Sequence, residues 1–136
     1  MRKISRKNWV RRLDALVKQI VIARDGECIV CHTKSNLTPG HLFSRVAYST
    51  RWDLDNVYAQ CLGCNFRHES DPYPMTEAVL DIFAGLKEIK DPDFLNGEFY
   101  DRAHAKLDDL HRKYITPRKF KTFELEELFN DLSKLI

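Results

Sequence analysis

Two Cys-x-x-Cys pairs, Cys28/Cys31 and Cys61/Cys64, constrain this chain more than any other feature. The two-residue spacing lets both sulfurs of a pair face one ion, so the pairs together supply four thiolates for a tetrahedral zinc. They bring two distant segments to one point and use every cysteine in the chain. Disulfides are the alternative for the same residues, but close-set pairs favour metal and suit a reducing, cytoplasmic compartment. His32, beside Cys31, can replace a sulfur as ligand, although four cysteines already complete the shell.

The 136 residues fit one domain, large enough for a modest core and small enough to benefit from a structural metal. No run of about 18 apolar residues is present, so no membrane span is expected. The first residues, Met-Arg-Lys-Ile-Ser-Arg-Lys, lack the apolar stretch of a secretory signal. Net charge is only +2, yet it is uneven: residues 1–24 carry eight Arg and Lys against one acid, Asp14. Residues 25–68 balance, and residues 69–136 carry an acidic excess. A basic arm beside a metal module points to a polyanion such as DNA, against the plainer reading of a solvated helix face.

Periodicity predicts a helix over 8–24, with Trp9, Leu13, Leu16, Val17 and Ile20 on one stripe and Gly26 as its left-handed cap. Arg11, Arg12 and Lys18 lie off that stripe and are placed to face phosphates. Leu37 to Tyr48 reads as a strand or hairpin holding His41, Ser49 to Asn56 as a polar loop, and Val57–Ala59 as a brief strand. A helix after Cys61 puts Asn65 and His68 on one face, where they can carry a divalent ion. Three helices follow: 77–90 with Thr76 as N-cap and Asp91-Pro92-Asp93 as stop, 97–114, and one capped by Thr122. His104 and His111 read as surface residues of the second.

The order Cys-x-x-Cys, Gly40-His41, Asn56, Cys61-x-x-Cys64-Asn65-x-x-His68 resembles the HNH (His-Me finger) nucleases. A nearer resemblance is to the NinG (Rap) family of phage recombination proteins, carried by Gly40-His41, the run Arg51 to Cys61, and Cys64-Asn65. It implies an α+β fold: a zinc-stabilised ββα-metal core over 25–70, a basic N-terminal helix over 1–24 and a helical C-terminal extension over 71–136. It also implies an HNH-type endodeoxyribonuclease that cuts branched DNA such as Holliday junctions and D-loops. His41 would be the general base, Asn56 the loop brace, Asn65 and His68 ligands of a catalytic Mg²⁺ or Mn²⁺, and the four cysteines the holders of structural zinc. A homodimer follows from symmetric junction cutting, and a bacterial host cytoplasm from phage origin.

Arg45, Arg51 and Arg67, near this site in sequence, are candidates to hold flanking phosphates beside Arg11 and Arg12. One departure stands out. Many HNH proteins place an acidic metal ligand just before the histidine, where this chain has Gly40. Asp53 or Asp55 can supply that charge, or the ion is held by Asn65, His68, water and phosphate, or His41 itself touches it. The reading from a different class is a non-catalytic zinc-stabilised module that binds DNA or another protein.

Overall fold

The computed structural model describes residues 3–85 and 97–136. It is an α+β fold in which one antiparallel ribbon lies among helices. Helix α1, Arg6–Asp25, opens with Ser5, whose hydroxyl accepts the Asn8 N–H at 3.3 Å. It closes on Gly26, which holds a φ of +70° and returns its N–H to Ile22. Trp9, Leu13, Leu16, Val17 and Ile20 are buried, the stripe that periodicity gives, and Val21 joins them.

Strand β1, Leu37–His41, pairs with β2, Val57–Cys61, from Leu37 opposite Cys61 to His41 opposite Val57. Successive residues of a strand face opposite ways, and here each side meets its own core. Val57 joins Trp9, Leu13, Val17, Trp52 and Leu125. Tyr58 joins Ile29, Leu42, Met75, Val79 and Leu110. The ribbon therefore sits between α1 with α6, Thr122–Ser133, on one side, and α4, Tyr73–Phe83, with α5, Gly97–Ile115, on the other. Arg24 adds a polar rivet: it pairs with Asp25 at 2.8 Å and donates to the carbonyls of Leu54 and Val57. Asp25 in turn accepts the Ala59 N–H at 2.8 Å.

Several boundaries differ from the sequence expectation. The stretch after Tyr48 is not a solvated loop: Tyr48–Arg51 forms a one-turn helix, α2, and Thr50, Trp52 and Asn56 are buried. Helix α4 starts at Tyr73, because Pro74 sits in a first turn that needs no N–H from it. Thr76 is consequently inside the helix, donating to the Pro72 carbonyl at 2.7 Å, and is not its cap. The helix stops at Phe83 ahead of Gly85, at φ +73°, and the rest of the expected 77–90 span and its stop at Asp91-Pro92-Asp93 lie outside the described residues. Lys121, not Thr122, caps α6, its N–H donating to Glu124 at 3.0 Å. No helix among the described residues is long and apolar enough to cross a membrane.

Candidate active site and metal centre

The first centre is made of sulfur. Cys28 and Cys31 lie in a tight knuckle after α1, where the His32 N–H closes on the Cys28 carbonyl at 2.9 Å. Cys61 ends β2 and opens α3, Leu62–His68; Cys64 lies in its first turn and gives its N–H to the Cys61 sulfur at 3.4 Å. All four sulfurs fall within 4.8 Å of one another, and Cys31 and Cys61 approach to 3.6 Å. Zinc–sulfur bonds of about 2.3 Å in a tetrahedron put sulfurs about 3.8 Å apart, so the cluster fits a zinc ion. Burial pushes the Cys28 thiol up, but backbone N–H groups of Cys31, Cys61 and Val30 outweigh it and bring it to about 7. Burial and the neighbouring sulfurs push Cys64 up to about 12. Four thiolates at such separations need a cation between them. His32 adopts φ +66° and turns its ring toward Glu27 at 3.4 Å, outside the cluster.

The second centre is a cleft of about 600 Å³ walled by α1, the end of β1, α2 and α3. His41, Asn65 and His68 all line it, with Arg45 and Glu69. His41 stands at the end of β1, and its Nε2 meets the Arg51 carbonyl at 2.9 Å. Only an N–H can satisfy a carbonyl, so this contact puts the ring proton on Nε2 and the lone pair on Nδ1. Burial lowers the His41 pKa below its ordinary 6.5, and the charges of Arg51 and Arg45 push the same way; the Arg51 carbonyl and Asp14 oppose them. His68 Nε2 likewise meets the Leu42 carbonyl at 2.9 Å, which leaves a buried Nδ1 without a protein partner. Asn65 donates from Nδ2 to the Thr38 hydroxyl at 3.1 Å, so its carbonyl oxygen remains for another ligand. The sulfurs form the one compact cluster of thiol, imidazole or carboxylate ligands among the described residues; the cleft donors are spread along its wall.

Asn56 is fully buried beneath this wall. Its Oδ1 accepts the Phe43 N–H at 2.8 Å, and its Nδ2 donates to the carbonyls of Phe43 and Thr50 at 3.0 and 3.1 Å. It ties the segment after β1 to the segment before β2, the loop brace that the sequence leads one to expect.

The arginines divide. Arg45 is exposed at the cleft, where its charge acts on Asp14. Arg51 is not available to a phosphate: its guanidinium grips Asp14 in a two-bond fork, at 3.0 and 2.6 Å, and also reaches the Arg45 carbonyl. Arg67 lies about 200° around α3 from Asn65 and does not line the cleft. Arg11 shares a stripe with Lys7, Asp14 and Lys18, and Asp14 belongs to the cleft wall. Arg12 lies about 160° from Asp14 and covers the Trp9 ring at 5.5 Å.

Asp53 and Asp55 do not replace the acid absent at Gly40. They face α5, Asp53 against Lys113 and Asp55 against Lys106, and neither lines the cleft. The carboxylates that do line it are Asp14 and Glu69, neither of them foreseen as site residues. Glu69 was legible from its place one residue after His68, on the same face as Asn65; Asp14 gave no local signal. His104 and His111 are exposed on α5, the latter 5.4 Å from the Phe43 ring. No family model matches the chain, and neither the curated proteins nor the solved structures yield a match.

Proposed function

We propose that the protein is a metal-dependent DNA endonuclease of the HNH type, braced by zinc and acting on branched DNA as a homodimer. The observation that carries this reading is the convergence of His41, Asn65 and His68 on one cleft, beside the exposed Arg45. A zinc-braced binding module needs the cysteines and has no use for that convergence.

The residues take defined parts. His41, neutral at pH 7 and held through Nε2, takes a proton from water on Nδ1 as the oxygen attacks phosphorus. The Asn65 carbonyl and the His68 Nδ1 offer oxygen and nitrogen donors, and the Glu69 carboxylate supplies the negative charge that Gly40 does not. This mixed set suits Mg²⁺ or Mn²⁺, and the imidazole admits Ni²⁺ or Zn²⁺. Such an ion, when bound, offsets charge on the phosphate and on the leaving 3′ oxygen. Arg45 holds a phosphate next to the cut, and Lys7, Arg11 and Lys18 follow the backbone beyond it. Two copies of the site, related by a dimer axis, match the two strands cut at a junction.

The test is a labelled four-way junction with Mg²⁺ or Mn²⁺, using wild type and His41→Ala. Cleavage lost in His41→Ala with zinc content intact supports the reading. Cleavage that survives removes His41 from it, and binding without cleavage by wild type leaves the zinc-braced binding module.

A further inference from the structure

Asp14, in the middle of the basic helix α1, is not a stray surface charge. Asp14 reaches from α1 into the cleft wall, where both its oxygens are taken. Oδ1 accepts from Arg51 Nε at 3.0 Å and from the Trp52 indole N–H at 2.9 Å, and Oδ2 accepts from Arg51 Nη2 at 2.6 Å. Arg51 is the last residue of α2, and its own carbonyl receives the His41 ring at 2.9 Å. One residue thus has its side chain fixed by α1 and its main chain fixed to the imidazole.

Asn56 holds the neighbouring Thr50 carbonyl and Trp52 is buried on the other side, and the fork to Asp14 is the anchor that acts on Arg51 itself. Helix α2 is four residues long, and its N-cap, Ala47, makes no side-chain capping bond. A single turn is far below the length at which helices sustain themselves. The Arg51 guanidinium packs over the rings of Tyr48 and Trp52, at 5.6 and 5.7 Å, so the fork to Asp14 also sets how these aromatic neighbours pack. Burial raises the Asp14 carboxyl, but bonds from Arg51 and Trp52 outweigh it and hold the group below the usual carboxylate range. The acid is therefore ionised and keeps the fork closed at neutral pH.

We propose that Asp14 is a positioning residue for His41: through the forked pair with Arg51 it fixes the carbonyl that sets the tautomer and aim of the imidazole. The proposal rests on the reading of His41 as general base, and adds a control on that base from a helix distant in sequence. Remote partners that orient a ligand or base are commonly worth 10–100-fold in activity.

The experiment uses the full zinc-loaded chain, with Asp14→Asn and Asp14→Glu. Nitrogen chemical shifts of the His41 ring, recorded without DNA, report the tautomer directly. Wild type is expected in the Nε2–H form and Asp14→Asn in a mixture of both forms, with zinc content and helicity unchanged. On a labelled junction with Mn²⁺, Asp14→Asn lowers kcat by about 10–100-fold and leaves KM within about twofold. Asp14→Glu, which can rebuild the fork, recovers most of that loss. Wild-type tautomer and kcat in Asp14→Asn would overturn the proposal, as would a kcat loss that merely follows lost helicity and zinc. If wild type cuts no DNA, the nuclease reading fails alone, and the nitrogen shifts still decide the positioning role. If Asp14→Asn does not fold, Arg51→Lys, which keeps the charge and loses the fork, carries the same two readouts.

Discussion

A β-carbon added to Gly40 would lie 2.0 Å from Oε1 of Gln60 and 2.7 Å from its Cδ. Gln60 is fully buried on β2, and its amide, lying where a side chain at 40 would stand, has no protein partner. A side chain at 40 would require the Gln60 side chain to move, and an acid there would compete with Gln60 for the same space. Gly40→Ala should destabilise the fold by about 1–3 kcal/mol, the usual range for overpacking. Combining it with Gln60→Ala should recover part of that loss. Urea denaturation of the double-mutant cycle measures the coupling, and simple additivity would show that the two side chains do not compete.

Zinc should be found at one equivalent per chain. Cys61→Ser, or a strong chelator, should release it and lower the melting temperature, because the metal's binding energy becomes folding energy. Metal analysis with thermal unfolding followed by circular dichroism checks this. A metal-free chain with an unchanged melting temperature would contradict it.

Burial lowers the His41 pKa, so a base at this position stays neutral to lower pH than free imidazole. The acidic limb of the kcat/KM profile should fall below pH 6.5, with a flat region above it. Stability follows the same sign: the unfolded chain takes the proton first on acidification. The contribution of His41 is present in full above about pH 6.5 and is lost as pH falls through the lower folded value. Comparing the pH dependence of unfolding in wild type and His41→Ala isolates this term.

Arg11 and Lys18 share the helix stripe that reaches the cleft, whereas Arg12 covers Trp9. Replacing Arg11 and Lys18 by Ala should each reduce the salt slope of DNA binding by about 0.9. Arg12→Ala should leave the slope near wild type. Titrations at several salt concentrations separate the two classes, and equal effects would place the DNA across the whole helix.

Glu69→Gln removes the carboxylate from the cleft rim without touching the sulfur cluster. The concentration of Mn²⁺ needed for half-maximal cleavage should rise by about tenfold, with zinc content unchanged. An unaltered metal requirement would exclude Glu69 from the ion's shell.

What could be read from the chain alone was what short-range spacing encodes. The α1 stripe and its Gly26 cap follow from helical period and a left-handed turn, and the sulfur cluster from two close pairs. Asn65 and His68 share the cleft because three residues make nearly one helical turn. The polar run Ser49 to Asn56 misled because its burial depends on partners elsewhere in the chain. Asn56 is satisfied by Phe43, and Trp52 and Arg51 by Asp14. Composition cannot distinguish a polar residue facing water from one whose hydrogen bonds are all made inside. The same blindness made Arg51 look like a phosphate ligand and Asp14 like a lone charge.

Helix α3 has seven residues and none of them is buried. A helix this short does not persist in water by itself, and neither apolar cluster includes any of its side chains. Its footing includes the sulfurs at its first turn, the Asn65 bond to the Thr38 hydroxyl and the His68 contact with the Leu42 carbonyl. Asn65 and His68 therefore ride on an element secured at its base by thiols. Oxidising those thiols would remove the anchor at the base of α3 and loosen Asn65 and His68, the cleft donors it carries, so the working end of the molecule would register the change directly.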